Sequence, residues 1–187
     1  MSSPTTVPDR TLVTVSGAQI QVPDPDCLIH LQFRRFAGCP VCNLHLRSIV
    51  SRAQDITAAN IREVIVFHSS AAELRKYTAD LPLNVVADPT RILYREFGVE
   101  TSPRTLLDPR GWTAVLRGVA HDARATLRGK QAAPPTKPEG GGLGLPGDFL
   151  IAPDGHVLAA KHGEHVYDQW SVDELLTLAS AAERHLC

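Results

Sequence analysis

Apolar and polar positions alternate from Thr11 to Val22 around Ser16-Gly17, a period of two that predicts a β-hairpin. Pro23-Asp24-Pro25-Asp26 is a turn, and residues 27–34 follow as an apolar strand. From Pro40 to about Ala53 the period is helical, with Leu46, Ile49, Val50 and Ala53 on one face. Ile61 to Phe67 reads as a buried strand. Ser70-Ala71-Ala72-Glu73 is a capping box opening a helix. Leu83 to Val86 is a short strand, and Asp88-Pro89 begins a helix through Phe97 that Gly98 stops. Arg104 to Asp108 is a weak strand, and Trp112 to Leu127 is helical. Asp148 to Ala152 and His156 to Lys161 form a hairpin around Pro153-Asp154-Gly155. A second capping box, Ser171-Val172-Asp173-Glu174, leads a last helix with Val172, Leu175, Leu176, Ala179 and Leu186 on one side.

Helices alternating with strands predict a layered α/β domain. A Cys-x-x-Cys after the first central strand and a closing β–β–α unit fit a thioredoxin-like three-layer sandwich with an N-terminal β-hairpin. Residues 1–187 are expected as a single domain. Residues 1–10 read as a loose tail and residues 129–147, rich in Gly and Pro, as a flexible inserted loop rather than a domain linker. There is no internal repeat.

The 187 residues suffice for one core, and a hydrophobic share of 43% with 21% charged residues is ordinary for a globular protein. A net charge of −1 gives no reason to expect nucleic acid or an anionic membrane as partner. No apolar run approaches the roughly 20 residues of a membrane span. Met1 to Pro8 lacks a basic region followed by an apolar stretch, so the expected location is cytoplasmic. There, four cysteines are not a disulfide framework. Cys27 reads as a small buried hydrophobe and Cys187 as an incidental terminal residue.

The chemistry concentrates at Cys39-Pro40-Val41-Cys42. Cys39 stands at the first helical turn, with Pro40 where a missing N–H costs nothing. Free N–H groups and the helix dipole favour an acidic, exposed Cys39 thiol, the nucleophile, with Cys42 resolving. Arg34 and Arg35 add positive potential, although neighbours on a strand face opposite sides. Cys39, Cys42 and His45 also read as three zinc ligands, but structural zinc wants four and no second cysteine pair is present. His45 reads otherwise as a helix-surface or core histidine, or as a group tuning the thiol. Asp148 is either a turn residue or a buried carboxylate relaying protons to Cys42. His68 ends a core strand where α/β sites form; a plain loop residue is the alternative. Arg104 faces either the site or solvent. Trp112 and Trp170 read as packing residues, and His162, Glu164 and His165 as an exposed loop or a weak metal cluster. Phe33, Phe36 and Phe149 hint at an apolar approach to the thiol.

The segment from Leu31 to Leu46, Leu-Gln-Phe-Arg-Arg-Phe-Ala-Gly-Cys-Pro-Val-Cys-Asn-Leu-His-Leu, resembles the signature of bacterial redoxin-domain proteins. These are the peroxiredoxin-like branch of the alkyl hydroperoxide reductase and thiol-specific antioxidant superfamily. Gly147 to Gly155 resembles that family's late hairpin, and Tyr167-Asp168-Gln169-Trp170 the lead into its last helix. The resemblance spans roughly residues 10–185. It implies a thioredoxin fold with Cys39 as peroxidatic and Cys42 as resolving cysteine. The expected activity is two-cysteine reduction of a hydroperoxide without cofactor, the pair being restored by a thioredoxin-like or low-molecular-weight thiol. Two positions depart from related patterns: Phe36 stands where peroxiredoxins carry a peroxide-orienting hydroxyl, and Pro146 is shifted from the cis-proline site of thioredoxins. The first favours the rival reading, a thiol–disulfide reductase acting on protein or small disulfides. A redox-switch or interaction module is a third reading. A monomer or weak dimer is expected.

Overall fold

The computed structural model describes residues 3–78, 81–99, 112–127, 141 and 144–186. The hairpin predicted by alternation is β1 (Arg10–Val13) and β2 (Gln19–Val22), paired antiparallel. A separate five-stranded sheet has the order β5–β4–β3–β6–β7. Its parallel half is β3 (Leu28–Arg34), β4 (Ile61–Phe67) and β5 (Asn84–Ala87). β6 (Gly147–Ile151) and β7 (Val157–His162) complete it antiparallel. The helices are α1 (Pro40–Ser51), α2 (Ala53–Ala58), α3 (Ala71–Thr78), α4 (Ile92–Glu96), α5 (Trp112–Leu127) and α6 (Val172–Leu186).

Every residue of β3 is buried, because this central strand is covered on both faces. Ile29, Leu31 and Phe33 pack with Val64, Val66 and Phe149 under the hairpin residues Leu12, Ile20 and Val22 and beside Tyr94 and Phe97. On the opposite face Ile65 and Phe67 meet Val41, Cys42 and Leu46 of α1 and Leu74 of α3. Leu28, Ile61 and Leu150 meet Ile49, Ile56, Leu175 and Ala179. The result is the expected thioredoxin-like layering.

Three expectations need correction. Residues 1–10 do not form a loose tail where described: Thr5 accepts from the Val157 N–H (3.0 Å), and the Val7 N–H donates to Gly155 (2.8 Å). Val7 is itself buried in the core, so one apolar anchor and the open edge of β7 hold the segment. The helix from Pro40 ends at Ser51, and a short α2 follows the non-helical Arg52, anchored by Ile56. The helix expected from Asp88-Pro89 starts only at Ile92. The Asp88 carboxylate accepts the N–H groups of Ile92 (3.0 Å) and Leu93 (2.8 Å) and so serves as a cap outside the helix. The weak strand at 104–108 and most of loop 129–147 lie outside the described residues.

α5 crosses α1 at a point where only glycine fits. A Cβ on Gly118 would stand 2.8 Å from the Pro40 carbonyl oxygen, inside van der Waals contact with backbone. We expect Gly118→Ala to part the two helices, with a loss of about 1–3 kcal/mol in urea unfolding. Cys39 should also alkylate faster. An unchanged midpoint and unchanged alkylation would show that α5 does not press on the motif.

Candidate active site

The end of β3 delivers the thiols. The Tyr94 hydroxyl donates between the carbonyls of Arg34 and Val66 and pins this end of the strand to β4. The chain then turns: the Ala37 N–H donates to Ser69 Oγ (2.9 Å), and Gly38 takes φ +74°, a left-handed conformation that suits glycine. Cys39 occupies the N-cap of α1 with extended backbone, and Pro40 begins the helix. The Cys39 carbonyl accepts the first helical bond, from the Asn43 N–H (2.9 Å).

Both thiols are reduced, and each is only 1% exposed. The exposed Cys39 expected from the motif is therefore not observed. Phe36, Ala37 and Val166 pack around the pair, with Tyr167 and Val115 of α5 against that cluster.

The two sulfurs titrate together. The Cys39 S–H donates to Cys42, which pushes Cys42 down to about 6 against its burial; the charges of Arg35 and Arg34 assist. Cys39 is correspondingly raised well above the usual thiol range, first by that hydrogen bond and then by burial. The shifts run down for Cys42 and up for Cys39, the reverse of what the helix dipole alone suggests. The two thiols titrate as a coupled pair rather than singly.

Beneath the thiols, the α1-side face of β3 is polar. His30, Gln32 and Arg34 alternate with Ile29, Leu31 and Phe33 and are fully buried. Register places His30 opposite Glu63 of β4 and Gln32 opposite Asp148 of β6. His30 Nδ1 lies 3.0 Å from Glu63 Oε1, and the Gln32 amide donates to Glu63 Oε2. Arg34 Nη2 donates to Gln32 Oε1 and to His45 Nδ1 (2.9 Å). Because Nδ1 accepts, His45 carries its proton on Nε2, which donates to the Trp170 carbonyl (2.8 Å). Burial and the Arg34 charge hold His45 neutral, down to about 3. Burial would lower His30, but Glu63 and Asp148 outweigh it and raise His30 to about 9. Asp148 is buried, yet the Arg34 charge and His30 keep it below the usual carboxylate value. One of its oxygens accepts from the Trp170 N–H (3.1 Å).

Arg34 and Arg35 act on the thiol pair, and His45 and Asp148 meet Arg34 in the column beside it. Arg34 faces this column, whereas Arg35 spreads over the Phe36 ring, 5.3 Å from its centroid, and acts on both sulfurs. Phe33 and Phe149 belong to the core on the other face of the sheet, so of the three aromatics only Phe36 lies with the thiols. His68 is buried, with neither ring nitrogen partnered, held neutral at about 4 by burial and the Arg91 charge. Trp170 stacks on His30 with ring centroids 5.7 Å apart. His162 meets Ser3 Oγ and the Phe149 ring, and no group of metal-binding side chains occurs among the described residues. Cys27 is buried far along β3's other end; Arg104, Cys187 and the Trp112 side chain lie outside the described residues.

The sequence reading missed His30, Gln32 and Glu63. The signal was present: in a strand taken as apolar, every second residue from His30 to Arg34 is polar.

These groups set the pH dependence of stability. His45 and His68 stay neutral in the fold while unfolded imidazoles protonate near 6.5, so stability falls as pH drops below 6.5 toward 4. Between 6.5 and 9 the folded His30 keeps a proton that the unfolded chain loses, so its contribution declines with rising pH. Cys42 acts oppositely, since from about 6 upward only the unfolded chain holds its proton. Thermal melts of reduced protein should be nearly flat from pH 6.5 to 9, whereas Cys42→Ser should lose stability over that window. Parallel curves would contradict the assignment.

Comparison with solved structures places the fold. At 17% identity the chain aligns with the peroxidoxin BcpB of Mycobacterium tuberculosis, covering 97% of both chains with a TM-score of 0.65. Peroxiredoxin Q of Xanthomonas campestris aligns at 15% identity, 95% of this chain and 92% of that one, with a TM-score of 0.60. The Plasmodium vivax 2-Cys peroxiredoxin aligns at 13% identity, 97% and 81%, with a TM-score of 0.63. Such identities establish fold alone. No curated protein matches significantly. The model of the AhpC/TSA antioxidant enzyme family matches residues 48–165, more than half of the chain and beginning just after the cysteine pair. The chain belongs to the AhpC/TSA antioxidant enzymes and is a peroxiredoxin-like, thiol-dependent oxidoreductase.

Proposed function

We propose that Cys39 and Cys42 carry out two-cysteine reduction of a small hydroperoxide. The observation that carries this reading is the placement of two free, buried thiols side by side in one cluster at the N-terminus of α1, with the Arg35 charge acting on both. Cys39, at the N-cap, is the nucleophile, and the Cys42 thiolate is its base. As Cys42 takes the Cys39 proton, the Cys39 sulfur attacks the terminal oxygen of the hydroperoxide and the O–O bond breaks. The departing alkoxide takes a proton from water, leaving Cys39 as sulfenic acid. Cys42 then attacks that sulfur, water leaves and the disulfide forms. Two equivalents of an external thiol, thioredoxin-like or of low molecular weight, reduce it again. No further cofactor enters this cycle. Burial of both sulfurs favours a small oxidant over a folded protein disulfide, which needs a sulfur at the surface.

Phe36 in place of a peroxide-orienting hydroxyl supports a second reading, reduction of disulfides. We place the chain in the cytoplasm, where low-molecular-weight thiols would restore the pair, and no helix among the described residues is long and apolar enough to cross a membrane.

Stopped-flow consumption of the thiolate by a hydroperoxide, against insulin as disulfide, separates the two. We expect fast loss with peroxide, a half-maximal rate near pH 6, a Cys39–Cys42 disulfide by peptide mapping, and no reaction in Cys39→Ser. Slow peroxide reaction with fast disulfide exchange would establish the reductase instead. If both are slow, the pair is a switch rather than a catalyst.

A further inference from the structure

We propose that His30 is a positioning residue for the thiol pair: it offsets the buried carboxylates Glu63 and Asp148 and so leaves the positive charge of Arg34 available to Cys42. The inference rests on the reading of Cys39 and Cys42 as the reacting pair, and deepens it.

The geometry is that of a charge balance. Two carboxylates and two cations share one buried face of the sheet, with side chains from 0% to 9% exposed. His30 stands between the carboxylates, Nδ1 on Glu63 and Nε2 3.5 Å from Asp148 Oδ1. The same Asp148 oxygen lies 3.5 Å from Arg34 Nη2. Arg34 Nη2, however, gives its two hydrogens to neutral acceptors, Gln32 Oε1 and His45 Nδ1. Among the described residues Asp148 Oδ1 has no short hydrogen bond, lying 3.5 Å from each cation, so neither fully claims it. Removing the His30 charge leaves two carboxylates facing Arg34 alone, and excess negative charge then lies behind Cys42. Removing the Asp148 charge does the reverse.

The charged and titratable groups acting on Cys42 are Cys39 on α1, Arg34 and Arg35 at the end of β3 and Tyr94 on α4, with His45 on α1 and Asp148 on β6 packed against Arg34. His45 is neutral and Tyr94 keeps its proton, raised by burial. The adjustable charges are therefore those of the arginines and of Asp148, with His30 and Glu63 behind it. His30 stays charged through the neutral range, so its influence is a constant bias rather than a pH switch.

The test is a pH titration of the thiolate absorbance of the reduced full chain, with Cys42→Ser as blank for the remaining cysteines. We expect His30→Gln to move the midpoint, near 6, upward by about half a pH unit or more. Asp148→Asn should move it downward by a similar amount, and the double variant should return it close to the parent. A merely structural role predicts shifts of the same sign, or none, and either result would overturn the proposal. If His30→Gln does not fold, Asp148→Asn decides alone: a lower midpoint supports the proposal, an unchanged or higher one defeats it. No substrate is involved, so failure here is distinct from failure of the peroxidase reading.

Discussion

The polar face of β3 governs how this domain can be built. Isolated charges inside a protein cost several kcal/mol each, and they persist only where partners and hydrogen bonds compensate. Here Glu63, His30, Asp148 and Arg34 sum to zero, and Gln32 and His45 fill the intervening acceptor and donor positions. The register of three strands follows from this, because a slip of one residue would turn the polar face into the apolar core beneath the hairpin. The column also divides the α1 side of the core into two apolar clusters, one holding the thiols and one holding α2 and α6.

The thiols inherit their properties from this arrangement. Arg34 serves both as the end of the buried column and as positive potential on Cys42. His45 ties α1 to the backbone ahead of α6 through the Trp170 carbonyl, while Asp148 takes the Trp170 N–H from the other side. One residue's backbone thus joins the helix that carries the cysteines to the strand that carries the carboxylate.

Much of this was legible in the sequence, and the exceptions have physical causes. Alternation located the hairpin, and the Cys-x-x-Cys was placed correctly at the junction of β3 and α1. The helical period after Pro40 was correct in kind but ran past Ser51, since no residue there signals a break as glycine or proline would. The tail was misread because a single valine, Val7, anchors it, and one apolar residue leaves no periodic trace. The acidic Cys39 was inferred from the helix dipole, a local effect. The Cys42 charge depends on Arg35, Arg34 and the Cys39 proton, which only the fold brings together. Of the two readings of Asp148 the buried carboxylate holds for its burial, whereas His30 beside it and Glu63 beyond were hidden in strands that read as apolar.

The cover over the cysteines has a bearing on damage as well as on turnover. A sulfenic acid that meets a second oxidant goes on to the sulfinic state, from which it is not readily recovered. Within the Cys-x-x-Cys pair, by contrast, the competing thiol is held alongside at a high effective concentration. Phe36, Ala37 and Val166 pack with Cys39, α5 sits on Pro40 through Gly118, and that sulfur is 1% exposed to bulk oxidant. If Cys39 is the nucleophile proposed above, the same packing would bias its oxidised form toward the disulfide, and resistance to over-oxidation would become a property of helix packing rather than of sulfur chemistry alone.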